Sequence, residues 1–525
     1  MKKKCFALVA LVLVLALLFS GCGLITLPRP FGKMQYTRPD MAAMEAKLTA
    51  VENILPEAKS ATQIMNRFYA FYFDYQSFAT NYALAYIHYC QDMTDIYWET
   101  EYNYCLEQTT WVDASYDQLL YKLADCALVE ELEHPKYFGA GFFDAYEGES
   151  MWDDTLISLF EEENALLSEY YALSAEQNDG TDAYYETTGL KIAEVYVEMV
   201  ALRQEIAEYA GYPDYPTFAY ESQHMRDYTP AQAQAYMDSI ADTLVPLYRQ
   251  AAQTDYWTDA LVATSPEQTM EHLSQLATTI GGPVKDAYDT MQRYDLYDIT
   301  PSEKKYDASF EVYLYSYGLP FLFVNSACTA QDKLTLTHEF GHFCRDYNAY
   351  GNPLTLDVSE FFSQGLENLS IFYTDMPKEL AQLRLYESLN VYVEQAAYAS
   401  FEQQVYALDG DDLTVENVDA LFESTMSSYG MDLWDINSRY YVMIPHIFIS
   451  PMYIVSYIVS NDAALQLYQQ ETETKGAGLE TYLNSLTTGQ MYFMAFLEEA
   501  GLESPFAPKR LNKVRETFEN ALLTE

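Results

Sequence analysis

The stretch LTLTHEFGHFCRDY, residues 334–347, places His338, Glu339 and His342 together in a chain of 525 residues that has only 7 histidines. In a helix, His338 and His342 stand one turn apart on the same face, so both imidazoles reach a single ion. Glu339 is rotated from them by about 100° and reaches a water on that ion. Zinc hydrolysis uses this donor pattern, in which imidazoles hold the metal and a carboxylate takes a proton. The pattern is short, and a solvated polar helix face produces it too, so a third ligand matters. Downstream, LDVSEFFSQGLENLSIFY at 356–373 carries Glu360 and Glu367 two helical turns apart. One of the two can ligate while the other supports a ligand histidine. Two carboxylates on an amphipathic helix are ordinarily solvated, but Phe361, Phe362, Leu366 and Leu369 leave this helix little open solvent.

The elements that must position these residues read as mainly helical. DTLISLFEEENALLSEYYAL at 154–173 and LKIAEVYVEMVALRQEIAEYAG at 190–211 show helical apolar spacing, the second stopped by Gly211 and Pro213. Thr229-Pro230 supplies a cap and a first-turn proline, and Ser265-Pro266-Glu267-Gln268 fits a capping box. FEVYLYSYGLPFLFVN at 310–325 breaks the helical pattern and predicts a strand pair just before the histidine helix. A division near residue 190 separates an N-terminal helical region, 41–190, from a larger catalytic region, 191–525.

Half of the residues are apolar, enough for two lobes. A net charge of −49 repels phosphate backbones and argues against nucleic acid as a partner. The 49 tyrosines suit a polar groove lined with phenols as well as a core that mixes packing with hydrogen bonds. The start, MKKKCFALVALVLVLALLFSGCG, has the layout of a secretory signal, and Ser20-Gly21-Cys22 resembles a bacterial lipoprotein processing site. That predicts a signal peptide at 1–21, a lipid on Cys22, a proline-containing tether over 22–40, and an extracytoplasmic protein anchored to a bacterial cell membrane. An uncleaved N-terminal anchor is the alternative. Cys90, Cys105, Cys126, Cys328 and Cys344 form an odd set with no CxxC spacing, read as core residues.

Several stretches together resemble the thimet oligopeptidase and oligoendopeptidase F family of zinc peptidases, over about residues 190–510. They are LRQEIAEYAGYPDY at 202–215, LPFLFVN at 319–325, HEFGH, the ExxSxxxE pattern from Glu360 through Ser363 to Glu367, IPHIFISPMYIVSY at 444–457, and TGQMYFMAFLEEAGLESPF from 488. The resemblance implies a mainly α, two-lobed metallopeptidase with a deep substrate cleft and a small β-sheet next to the zinc helix. It implies one zinc ion on His338, His342 and Glu360, with Glu339 as general base and Glu367 supporting the site. His446, Tyr453 and Tyr457 would face the metal and hydrogen-bond the oxyanion. Leu319, Phe321, Phe323 and Asn325 would hold an extended peptide by main-chain pairing. The connection 343–359 is shorter than the family's, and Ile454 follows Tyr453 where relatives often carry an aromatic.

The expected activity is hydrolysis of internal bonds in short unstructured peptides. Two rivals remain. A thermolysin-like or aminopeptidase-like zinc peptidase has a similar ligand spacing, but the chain lacks a GxMEN-type segment and a strand-rich lobe. A lipid-anchored peptide-binding protein without turnover would have no need of Glu339 beside the metal.

Overall fold

Apolar side chains recur every three or four residues in Ala61–Gln91, at Ile64, Phe68, Phe71, Tyr75 and Phe78, and in Ile96–Ala124, at Val112, Tyr116, Leu119 and Leu123. That spacing makes one buried stripe per helix. The two stripes close on each other and on Met41–Ile54 to form an aromatic-rich core. Each large apolar side chain buried there contributes on the order of 1.5–3 kcal/mol. Asp40 and Asp95 accept from the backbone of Ala43 and Tyr97 and so fix where two of these helices begin. The computed structural model describes residues 28–146, 148–174, 180–256, 261–408 and 410–523. The signal segment and Cys22 lie outside the described residues, as does part of the tether. No helix among the described residues is long and apolar enough to cross a membrane.

The chain divides into two compact units. The first runs to Ile157 and is completed by Ala263–Pro353; the second comprises Ser158–Val262 and Leu354–Glu525. The division expected near residue 190 instead falls inside the helix Thr188–Tyr209. The physical reason is that the sheet of the first unit finds its cover on the N-terminal helices. Tyr86 packs on Phe310 at 4.7 Å, Met93 N–H donates to the Lys304 carbonyl at 2.8 Å, and Tyr306 N–H donates to the Cys90 carbonyl at 2.9 Å.

That sheet has three strands, β1 (Tyr297–Asp298), β2 (Ser309–Leu314) and β3 (Leu319–Val324), in the order β1-β3-β2. β1 runs parallel to β3, and β2 antiparallel to it, with Phe310 opposite Phe323 and Leu314 opposite Leu319. The expected strand pair is present, and β1 is an addition that the sequence did not signal. The histidine helix, Asp332–Ala349, packs against β2 and β3.

In the second unit the glutamate helix, Leu356–Tyr373, is packed most closely against the tyrosine helix, Val455–Glu473. Val358, Phe361, Phe362, Leu366 and Leu369 are all fully buried. Apolar contact around this helix accounts for its burial on nearly every side. The capping boxes at Thr229 and Ser265 are both formed, each with the glutamine three residues on.

Candidate active site

In the first unit, Asp332 anchors the start of the histidine helix. Its carboxylate accepts from Ser326 Oγ at 2.5 Å and from the backbone of Ala327 and Thr329. The helix ends at Tyr350, whose φ of 57° is followed by Gly351 at 65°. Between these ends His338 and His342 lie on one face, ring centroids 5.2 Å apart, both half-buried. Glu339 is buried on the adjoining face. Glu311 on β2 is close enough for the Glu339 charge to act on it. Burial foremost, then Asp346 and Glu339, holds the Glu311 carboxyl well above the usual range. Cys344 is buried within the helix, and burial pushes its thiol up, which makes it inert.

In the second unit Glu360 is 5% exposed, and both of its oxygens are held. Tyr453 Oη donates to Oε1 at 2.6 Å and Ser363 Oγ donates to Oε2 at 3.0 Å. The Tyr453 ring stacks on His446 at 5.3 Å, and Tyr457 Oη lies 3.2 Å from His446 Nε2. Burial lowers the His446 pKa, partly opposed by the Glu360 charge, so the imidazole is neutral at pH 7. Glu367 pairs with Arg384, Nε to Oε2 at 2.9 Å.

His338 and His342 each offer an imidazole nitrogen in the first unit, and Glu360 offers a carboxylate oxygen in the second. Two imidazoles and a carboxylate suit zinc, which takes three protein ligands at a hydrolytic site and keeps one position open. The two hydrogen bonds to Glu360 are what such a ligand needs to hold its orientation.

Two expectations need correction. β3 is the central strand, paired on both sides, and Leu319, Phe321 and Phe323 are buried in the core. Asn325 spends its amide on Ser302, accepting from the backbone N–H at 3.0 Å and donating to the carbonyl at 3.1 Å. None of the four can meet a peptide by strand addition. The strands with an unpaired edge within the sheet are β1 and β2, of which β2 is the longer. Tyr453, expected to meet an oxyanion, commits its hydroxyl to Glu360. Asp357 accepts from Tyr228 and Ser456. Arg384 and Arg226 went unread because an arginine far along the chain carries no local signal of what it binds.

Residues 31–150 match the peptidase M3 N-terminal domain. None of the curated proteins compared matches the chain. Among solved structures, a PZ peptidase A with an inhibitor is 18% identical with a TM-score of 0.82, covering 94% of this chain and 99% of its own. A protein provisionally assigned as oligoendopeptidase F from Bacillus anthracis str. Ames is 19% identical with a TM-score of 0.79, covering 95% and 99%. Oligoendopeptidase F from Enterococcus faecium is 15% identical with a TM-score of 0.60, covering 92% and 96%. Residues 31–150 are thus similar to the M3 peptidase N-terminal domain, and nearly the whole chain has the fold of the oligoendopeptidase F structures.

Proposed function

We propose that the chain is a zinc metalloendopeptidase that hydrolyses internal bonds of short, unstructured peptides. The observation that carries this reading is the pair His338 and His342 on one helix face, with the buried Glu339 directly after the first imidazole. Those three residues would hold the ion, which when bound supplies Lewis-acid polarisation of the scissile carbonyl and a more acidic water. Glu339 takes the proton of the attacking water and passes it to the leaving amine. His446 and Tyr457, already within hydrogen-bond reach of each other, donate to the oxyanion as the carbonyl becomes tetrahedral. Tyr453 and Ser363 hold Glu360, and Arg384 holds Glu367. The substrate backbone adds to the free edge of β2, whose Glu311 is electrostatically coupled to Glu339. A lipid on Cys22 would keep the enzyme at the outer face of a bacterial cell membrane.

The test is cleavage of quenched peptides of increasing length, with metal content determined on the same sample. One zinc per chain and turnover that fades as the peptide lengthens are expected. Glu339→Gln should keep the zinc and lose at least about 10²-fold in kcat. Absence of stoichiometric zinc, or full activity in the variant, would sink the proposal.

A further inference from the structure

Met452 has a φ of 64°, a left-handed conformation that a residue with a side chain adopts only when its surroundings impose it. Two buried side chains do so by holding both polar atoms of its backbone. Glu402 Oε1 accepts from Met452 N–H at 2.8 Å, and Arg226 Nη1 donates to the Met452 carbonyl at 2.9 Å. His224 Nε2 donates to the Pro451 carbonyl at 2.8 Å, fixing the residue before. Arg226 reaches further. Its Nη2 donates to Ser456 Oγ at 2.9 Å, and its Nε lies 3.3 Å from Asp357 Oδ2. Ser456 in turn donates to Asp357 Oδ1 at 2.5 Å. Asp357 stands one turn before Glu360 in the glutamate helix, and Ser456 is in the first turn of the tyrosine helix. One guanidinium therefore ties the turn at Met452 to both helices.

We propose that Arg226 and Glu402 form a buried clamp on Met452 that places Tyr453 against Glu360, making Arg226 a positioning residue for the metal ligand. The inference rests on the zinc reading above and adds a residue to it that touches neither metal nor substrate. Burying a guanidinium and a carboxylate is costly, and Glu402 Oε2 is buried with no hydrogen-bond partner among the described residues. An apolar turn with glycine at 452 would close the fold with less desolvation. What the polar clamp adds is a fixed backbone immediately before Tyr453, whose hydroxyl must arrive 2.6 Å from Glu360 Oε1. A guanidinium suits this task because its planar fork serves three acceptors at set angles.

The experiment compares Arg226→Lys, Tyr453→Phe and the double variant in the full chain. Zinc affinity is read by chelator competition, and kcat and KM are measured separately. Each single change should weaken zinc binding or kcat by roughly 10–100-fold, the range for residues that orient a metal ligand. KM should move by no more than about twofold. The double variant should be no worse than the worse single one, because both remove the same hydrogen bond to Glu360. Losses that multiply, or an Arg226→Lys protein with unchanged zinc affinity and kcat, would overturn the clamp. If Arg226→Lys does not fold, the double variant Arg226→Lys, Met452→Gly takes its place, since glycine accepts the turn without the clamp. An unchanged melting temperature with weakened zinc binding, non-additive with Tyr453→Phe, is then expected; full zinc affinity would overturn the proposal. A parent chain that binds no zinc defeats the zinc reading and the clamp together. Normal zinc and turnover in the parent with additive variants defeats the clamp alone.

Discussion

Two phenols four residues apart take different work because of what each hydroxyl already holds. Tyr453 Oη is spent on Glu360 Oε1, whereas Tyr457 Oη lies 3.2 Å from His446 Nε2, a weaker contact that an incoming oxyanion can replace. The neutral imidazole of His446 carries one N–H, which can donate a hydrogen bond to a developing negative oxygen. His446→Gln should therefore lower kcat by roughly 10²–10³-fold while zinc stays bound, as measured by steady-state kinetics with metal analysis on one preparation. Loss of zinc in that variant would instead place His446 among the groups that build the metal site. The candidate ligand residues stood out because HExxH and ExxSxxxE are local patterns with helical spacing. The division of labour between Tyr453 and Tyr457 was not, because it depends on a chain turn at Met452 that no residue type announces.

At the level of elements, glycines set how closely the helices of the second unit approach. A Cβ built on Gly365 of the glutamate helix would lie 2.8 Å from Leu467 Cδ1 of the tyrosine helix, the mobile end of a side chain. A Cβ on Gly478, in the helix Ala477–Ser485, would lie 2.2 Å from the Leu467 carbonyl oxygen, which is backbone and cannot swing aside. Gly478→Ala should thus destabilise by about 1–3 kcal/mol. Gly365→Ala should come out near neutral, because Leu467 can change rotamer and alanine gains about 1 kcal/mol in helix propensity. Thermal melts of the two variants decide this, and equal shifts would show that the closeness at Leu467 does not govern the packing. Amphipathic helices and their caps were legible for the same reason that they are stable: the signal is repeated along a single segment. The sheet was legible only in part. β3 reads as a peptide-binding strand from its resemblance to the family's strand before the zinc helix, but whether a strand is central or at an edge depends on its neighbours, and β1 is two residues with no period to read. The Arg226 clamp draws on residues 226, 357, 402 and 452, and a contact so spread out leaves no trace in spacing.

For the whole molecule, the balance of titrating groups gives stability a sign with pH. Burial holds several carboxyls above the usual range: Asp113 to about 7, Asp117 to about 6, and Glu402 to about 7. Glu387 is also raised to about 7, by burial first and the Glu367 charge last, with Arg384 opposing. Between their unfolded values near 4 and these folded values the native state binds more protons than the unfolded chain, so stability falls as pH rises through that window. Two histidines act in the opposite sense. His224 is lowered to about 3 and His272 to about 4, chiefly by burial, so the unfolded chain binds more protons below about 6.5 and stability is lost as pH falls further. From pH 8 down to about 6.5 only the carboxyls change, and the self-repulsion of a chain with net charge −49 eases over the same range. The melting temperature at saturating zinc should accordingly be several degrees higher at pH 6.5 than at pH 8. The two contributions separate by salt: at about 1 M ionic strength the Debye length is only about 3 Å, so surface repulsion is screened while buried carboxyls are not. A shift that survives high salt assigns the effect to the buried carboxyls, Glu311 and Asp346 among them. One that vanishes assigns it to surface charge, and a higher melting temperature at pH 8 would mean that the unfolded chain, not the native one, holds these protons.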